Sequence, residues 1–327
     1  MQERYEISSS LKELIEHAEN VLDFEIHLQR QPDCPHKGLI LDKYSFDSPR
    51  NVLVFSPQQI GMLKDFVIGQ NCVRLLFRGT AHGHNNFKVL SFDVPCAMLG
   101  MEQIYLDILK DEKTRHLDLA MKKKLMFYLY LLFHETITDI PWSILANIVI
   151  SRKCQVMRSA QVYFLMKESM RDMHDLVSFK DYIPRRYFVM HNAMFYARDL
   201  LLAEVLSEMK LNPMINIPEF KKFKNLNLME MLTNRWMKSL WYQTKLVGDV
   251  MVQILKDLKV QDTDPTGTDD NYYRIYQTGV EITKKWISFM QLEKYYIWET
   301  PEHQREALQK QDQIESSVRT QLFGVDV

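Results

Sequence analysis

Glycine is the residue that most constrains this chain. Six of its ten glycines (Gly38, Gly61, Gly69, Gly79, Gly83 and Gly100) fall between positions 38 and 100. Only Gly248, Gly267, Gly279 and Gly324 serve residues 101–327. Glycine supplies turns and disfavours helix interiors, because ordering its backbone costs more entropy than ordering any other residue. A long glycine-poor stretch with apolar residues at helical spacing is therefore expected to be almost wholly helical. The expected class is α+β, mainly α: a small N-terminal mixed α/β subdomain over 1–95, a helical body over 96–260, and C-terminal helices over 261–327 packed on that body.

Within the first part, Ser10-Leu11-Lys12-Glu13 has the spacing of a capping box opening a helix through Leu14, Ile15, Ala18, Val21 and Leu22. Two prolines in RQPDCPHKG break the chain, and GLILDKY and NVLVF read as short strands. Ser56-Pro57-Gln58-Gln59 is expected to open a second helix. CVRLLFRG and FKVLSFDV read as two more strands, joined by the polar turn GTAHGHNN from Gly79 to Asn86. Beyond Pro95 the apolar period becomes helical. Pro141 is expected to start a helix, RRYFVMHNAMFYARDLLLAEVLSEMK to form a buried one, and YYRIYQTGVEITKKWISFMQLEKYYIW another. A last helix is expected after the cap Thr300-Pro301-Glu302.

Several function classes lose their footing at once. The net charge of −1 gives no whole-molecule attraction to nucleic acid or anionic membrane. The apolar run LMFYLYLLF, Leu125 to Phe133, is far below the about 20 residues of a spanning helix, so no membrane partner is expected. Cys34, Cys72, Cys96 and Cys154 are widely spaced, and MQERYEISSS has no apolar signal core; both favour an intracellular location with reduced thiols, cytoplasm or nucleus. Phosphate-binding glycine loops and a nucleophile elbow do not occur. His134-Glu135 begins like a zinc-protease helix, but Thr138 stands where the second histidine ligand must lie, one turn on. Asp262, Asp264, Thr266 and Gly267 match part of a calcium loop, yet Tyr273 replaces its bidentate glutamate.

The histidine pair His82 and His84 remains as a candidate metal site. Two imidazoles at i and i+2 on a strand share a face, but zinc needs three or four ligands. The expected metal and cofactor content is therefore none. An alternative keeps a metal-dependent or transferase-like enzyme centred on Arg78, His82 and His84.

Charge distribution carries the main functional expectation. Residues 1–109 hold 10 Lys+Arg against 14 Asp+Glu, residues 110–245 hold 22 against 14, and residues 246–327 hold 9 against 14. In the basic middle, aromatics interleave with cations at YIPRRYF and FKKFKN. Cations pair with phosphates while rings stack on bases, the combination that single-stranded nucleic acid requires. The expected function is a non-enzymatic, nucleoprotein-like subunit of a larger assembly that binds single-stranded RNA or another nucleic acid. Arg185, Arg186, Lys221, Lys222 and Lys224 are the candidate phosphate contacts, and Tyr187 and Phe223 the candidate stacking rings. Nineteen methionines and an 11% aromatic content also suit subunit contacts, so protein subunits, self or hetero, are expected partners. A pure protein–protein scaffold is the alternative within that class.

Overall fold

The computed structural model describes residues 5–44, 48–179, 182–208, 235–265 and 269–300. Eight helices and five short strands are found among them. In chain order they are α1 (Ser9–Leu22), β1 (Ile26–Arg30), β2 (Leu39–Leu41), β3 (Asn51–Phe55), α2 (Gly61–Gly83), β4 (Val89–Ser91) and α3 (Val94–Lys110). Then follow α4 (Leu119–Lys153), α5 (Arg158–Phe179), α6 (Arg185–Glu208), α7 (Arg235–Asp257), α8 (Asp269–Phe289) and β5 (Ile297–Glu299). The mainly helical α+β class expected from the glycine distribution is what the chain adopts.

Helix α1 forms as its period requires, with Leu11, Leu14, Ile15 and Ala18 buried along one stripe. Burying each such aliphatic side chain contributes about 1.5–3 kcal/mol. The helix starts two residues before the expected box. Ser8 is the N-cap, its Oγ accepting from the Leu11 N–H at 3.4 Å, while the Ser8 N–H donates to Asp65 Oδ2 at 2.8 Å. The chain end of α1 is thereby tied to α2.

The first sheet has the order β1-β3-β2, with β1 parallel and β2 antiparallel to β3. Its middle strand, NVLVF, is the most buried, as expected of a β-branched run with a neighbour on each side. Ser56-Pro57-Gln58-Gln59 makes hydrogen bonds like those of a capping box, with Gln58 N–H donating to Ser56 Oγ and Ser56 N–H to Gln59 Oε1, both at 3.3 Å. Here they close a turn, and the helix begins only at Gly61.

The largest correction concerns CVRLLFRG and the polar turn after it. Both belong to α2, a helix of 23 residues, and no hairpin forms there. The reason is burial on most sides: α1, α4, α5, α8 and β3 all pack on α2. From Asp65 to Ala81 nearly every side chain is inside. A helix covered on most of its circumference keeps only a narrow polar edge, so its sequence loses the period that would distinguish it from a buried strand.

Pro141 likewise lies inside α4, a single helix of 35 residues, rather than at the start of a new one. It removes one backbone donor. The helix persists because Phe133, Ile137, Ile140, Ile144 and Ile148 are all buried around that turn. Helix α8, expected to run on through Tyr295–Trp298, stops at Phe289. Gln291 takes a left-handed conformation (φ 60°), and the chain then runs as β5 antiparallel to β4, pairing Val89 with Glu299, Leu90 with Trp298 and Ser91 with Ile297. The helix expected after Thr300 lies outside the described residues. One hydrophobic cluster runs from Leu11 to Tyr296 and joins all these elements. No helix among the described residues is long and apolar enough to cross a membrane.

Candidate functional site

Where α2, α4 and α8 meet the two small sheets, the chain leaves a cleft of about 440 Å³. Helix α2 lines it with Asn71, Arg74, Phe77 and Arg78, spaced so that they share a face. Helix α4 adds His134, Glu135, Thr138, Asp139 and Trp142, again at steps of three and four. Tyr276 and Thr283 come from α8, Lys88 and Leu90 from the segment around β4, Trp298 from β5, and Lys37 from the loop before β2.

Two tight backbone fits place Lys37. Gly38 has φ 72°, and a Cβ there would lie 2.4 Å from Asn71 Nδ2. Asn71 Nδ2 in turn donates to the Lys37 carbonyl at 2.9 Å. Only glycine adopts that conformation without strain and also leaves room for the asparagine.

The cleft's charges are anchored in a part-buried ionic network. Asp139 receives Arg74 Nη1 at 2.7 Å and Lys37 Nζ at 3.0 Å. Behind it Glu168 meets His36, Lys37 at 3.6 Å and Arg198 at 3.7 Å, and Arg198 also pairs with Asp199 at 2.8 Å. Burial acts to raise the Asp139 carboxyl, but Arg74 and Lys37 outweigh it and hold it well below the usual carboxylate range. Burial acts to lower the Lys37 ammonium, and Asp139 and Glu168 more than offset that, so its pKa is raised. Both groups stay charged at neutral pH. Arg78 Nη1 donates to the fully buried Asp42 at 2.5 Å. The lining therefore holds four cations (Lys37, Arg74, Arg78 and Lys88) against the carboxylates of Glu135 and Asp139. The Arg74 Nε–H is buried and has no acceptor among the described residues. A buried donor left without a partner costs about 1–3 kcal/mol.

Rings form the other walls. Trp142 stacks on Tyr276 with centroids 5.2 Å apart and planes 17° apart. Tyr276 continues to Tyr273, and Tyr273 to His84, at interplanar angles of 14° and 12°. The Tyr276 hydroxyl accepts from the Lys88 N–H at 2.8 Å and donates to the Lys88 carbonyl at 2.7 Å, fixing the segment that leads into β4. His134 is a clamp of the same kind. Its Nε2–H donates to the Leu90 carbonyl at 3.0 Å, and burial lowers its pKa, so it stands neutral with the proton on Nε2. Thr138, at the position of the missing zinc ligand, donates to the His134 carbonyl at 2.8 Å.

The residues expected from sequence are dispersed. His82 and His84 close α2 rather than a hairpin. His82 packs its ring 5.1 Å from Tyr44, and His84 stacks on Tyr273 with Nε2 3.6 Å from Asp270. Among the described residues, no group of three or more His, Cys, Asp and Glu side chains comes together to hold a metal ion. Arg185 begins α6 and donates from Nε to Gln243 at 2.7 Å and from Nη2 to Ser239 at 3.0 Å. Arg186 reaches the Met290 carbonyl at 3.3 Å and lies 3.5 Å from Asp107. Tyr187 is only 2% exposed, its ring edge-on to Phe133 and its hydroxyl donating to Asp107 at 2.8 Å. No face of that ring is open to a base. Lys221, Lys222, Phe223 and Lys224 lie outside the described residues.

Among the described residues weighed from sequence for a site, Arg78 lines the cleft, together with His134, Glu135 and Thr138 of the failed zinc motif. Lys37, Arg74, Lys88, Trp142, Tyr276 and Trp298 were not foreseen, and one local signal pointed toward them. Arg74 and Arg78 sit four apart in an otherwise apolar run, where two cations must be paired or face a water-filled space. Compared with known protein families, curated proteins and solved structures, the chain matches none, so the cleft's chemistry is read from its own residues.

Proposed function

We propose that the protein is a non-enzymatic binding subunit for single-stranded nucleic acid and that the cleft seats one nucleotide of the strand. The observation that carries this reading is the meeting of exposed Lys88, and of Lys37, Arg74 and Arg78 behind it in ion pairs with Asp139, Glu168 and Asp42, with half-buried Trp142 and Trp298 in one cleft. Phosphate is the anion that several Lys and Arg side chains hold together, and an indole stacks on any base. A volume of about 440 Å³ is of the order of known small-ligand sites. Arg185 and Arg186 do not line the cleft, and their guanidinium groups are engaged with Gln243, Ser239 and the Met290 carbonyl.

Fluorescence anisotropy with a labelled single-stranded RNA across a salt series tests it. Wild type binds at low salt and weakens as salt rises. Lys88→Ala, at an exposed position, lowers affinity and reduces the salt slope by about 1, whereas Arg185→Ala leaves both unchanged. Binding with no salt slope, or loss in Arg185→Ala with none in Lys88→Ala, rejects the cleft.

A second reading, that the protein also docks on a protein partner, is favoured by one observation. Met98, Leu99, Leu106 and Leu109 on α3 are exposed, as are Leu119, Met121 and Tyr128 on the adjoining α4. Apolar side chains gathered on one helix pair suit a subunit contact. Light scattering of Met98→Lys with Leu119→Lys against wild type tests it. A wild type that is monomeric alone and is pulled down with no partner rejects it.

A further inference from the structure

We infer that the cleft is the first of two consecutive subsites, so that the ligand is an oligonucleotide step, two nucleosides joined by a phosphodiester, and not a lone nucleotide. The inference rests on the nucleic-acid reading above and deepens it. A second cavity, also of about 440 Å³, shares a wall with the cleft, made of Lys88, Tyr276 and Trp298. Asn86, Gln277, Glu281 and Lys284 complete it.

The wall is rigid, which makes it a divider of fixed position. Both backbone groups of Lys88 are held by the Tyr276 hydroxyl, Trp142 stacks on the Tyr276 ring, and Trp298 is set opposite Leu90 by the β4–β5 pairing. Lys88 is the cation common to both cavities, and it is exposed. One phosphate resting on that ammonium borders both cavities, as a phosphodiester between two nucleosides would. The lining of the second cavity differs in kind. Its Lys284 is paired with Glu281 at 3.1 Å, leaving Lys88 as the main attraction for an anion there. The amides of Asn86 and Gln277 offer both donors and acceptors, which suit the polar edge of a base.

Two linked units that each find a seat bind as one ligand with a high effective local concentration, so affinity rises by orders of magnitude without new contacts. Titration calorimetry of the full chain with adenosine 5′-monophosphate and with the dinucleotide ApA tests the inference. The dinucleotide is expected to bind at least about 10-fold more tightly. Gln277→Trp, placed at an exposed position to fill the second cavity, is expected to bring the dinucleotide down to the mononucleotide's affinity while leaving the latter unchanged. Retained mononucleotide binding then doubles as proof that the variant folds. Should the variant lose both ligands, the wild-type ratio alone decides. A mononucleotide that binds as tightly as the dinucleotide overturns the two-subsite inference and leaves the nucleic-acid reading standing. An advantage that survives Gln277→Trp also overturns it. If neither ligand binds, the nucleic-acid reading falls first and this inference falls with it.

Discussion

Glu168 on α5 offers the most quantitative test of how the cleft is held together. Its side chain is 7% exposed and faces His36, Lys37 and Arg198. Burial acts to raise its pKa, but the His36 hydrogen bond and the charges of Lys37 and Arg198 bring it down to about 2 from an ordinary value of 4.5. Since one pKa unit is 1.36 kcal/mol, that difference corresponds to about 3 kcal/mol of folding stability at neutral pH. The folded value lies below the unfolded one, so the contribution is complete above the unfolded pKa. It is lost as pH falls toward the folded one, with about 1 kcal/mol left at pH 3. Glu168→Gln preserves size and removes the charge. Urea denaturation should find the variant about 3 kcal/mol less stable at pH 7, with the gap closing to about 1 kcal/mol at pH 3. Equal midpoints at pH 7, or a gap that does not vary with pH, would refute the argument that this carboxylate is held ionised by the His36 hydrogen bond and the charges of Lys37 and Arg198.

Gly279→Ala should cost about 1–3 kcal/mol and weaken RNA binding, because the new Cβ would lie 2.1 Å from Trp142 Cζ3 and push that ring off Tyr276; an unchanged melting temperature would contradict this seating. Burial pushes the Cys96 and Cys154 thiols up to about 11 and raises those of Cys34 and Cys72 as well. With a disulfide reagent at pH 8, half-buried Cys96 should react first and the other three only after denaturation, as mass spectrometry of labelled peptides would show. Tyr187→Phe should lower stability by about 1 kcal/mol through the lost bond to Asp107 while leaving RNA affinity untouched; a drop in affinity would restore that ring to the binding surface.

The helical bulk of the molecule was legible because glycine scarcity and apolar period report the same thing. Amphipathic α1 was legible too, since a helix with one wet face keeps its stripe. What failed did so for opposite reasons. CVRLLFRG lost its period by being buried on most sides, and the LEKYYIW stretch kept apolar content while a left-handed Gln291 ended the helix, leaving strand only from Ile297 on. The position of Pro141 inside α4 depends on tertiary burial that no local rule weighs. The cleft was less legible still. Its cations come one or two at a time from a loop, a helix and the approach to a strand, and what joins them is folding, not spacing. Sequence reasoning favoured YIPRRYF because its charges and rings are contiguous. Contiguity on a helix distributes side chains around the axis, and Tyr187 turned inward.

The β4–β5 ribbon has a consequence for how the protein is made. Its two strands are separated by most of the described chain, so they meet only after α3 through α8 have been synthesised and packed. Closing so long a loop is entropically unfavourable until those intervening contacts exist. On the ribosome, Val89–Ser91 must therefore wait without its pairing partner, and Lys88 and Trp298 come together at the end of assembly. Binding competence would then report on completeness: a chain cut before Ile297 could hold much of its helical core and still lack the wall on which the proposed ligand would rest.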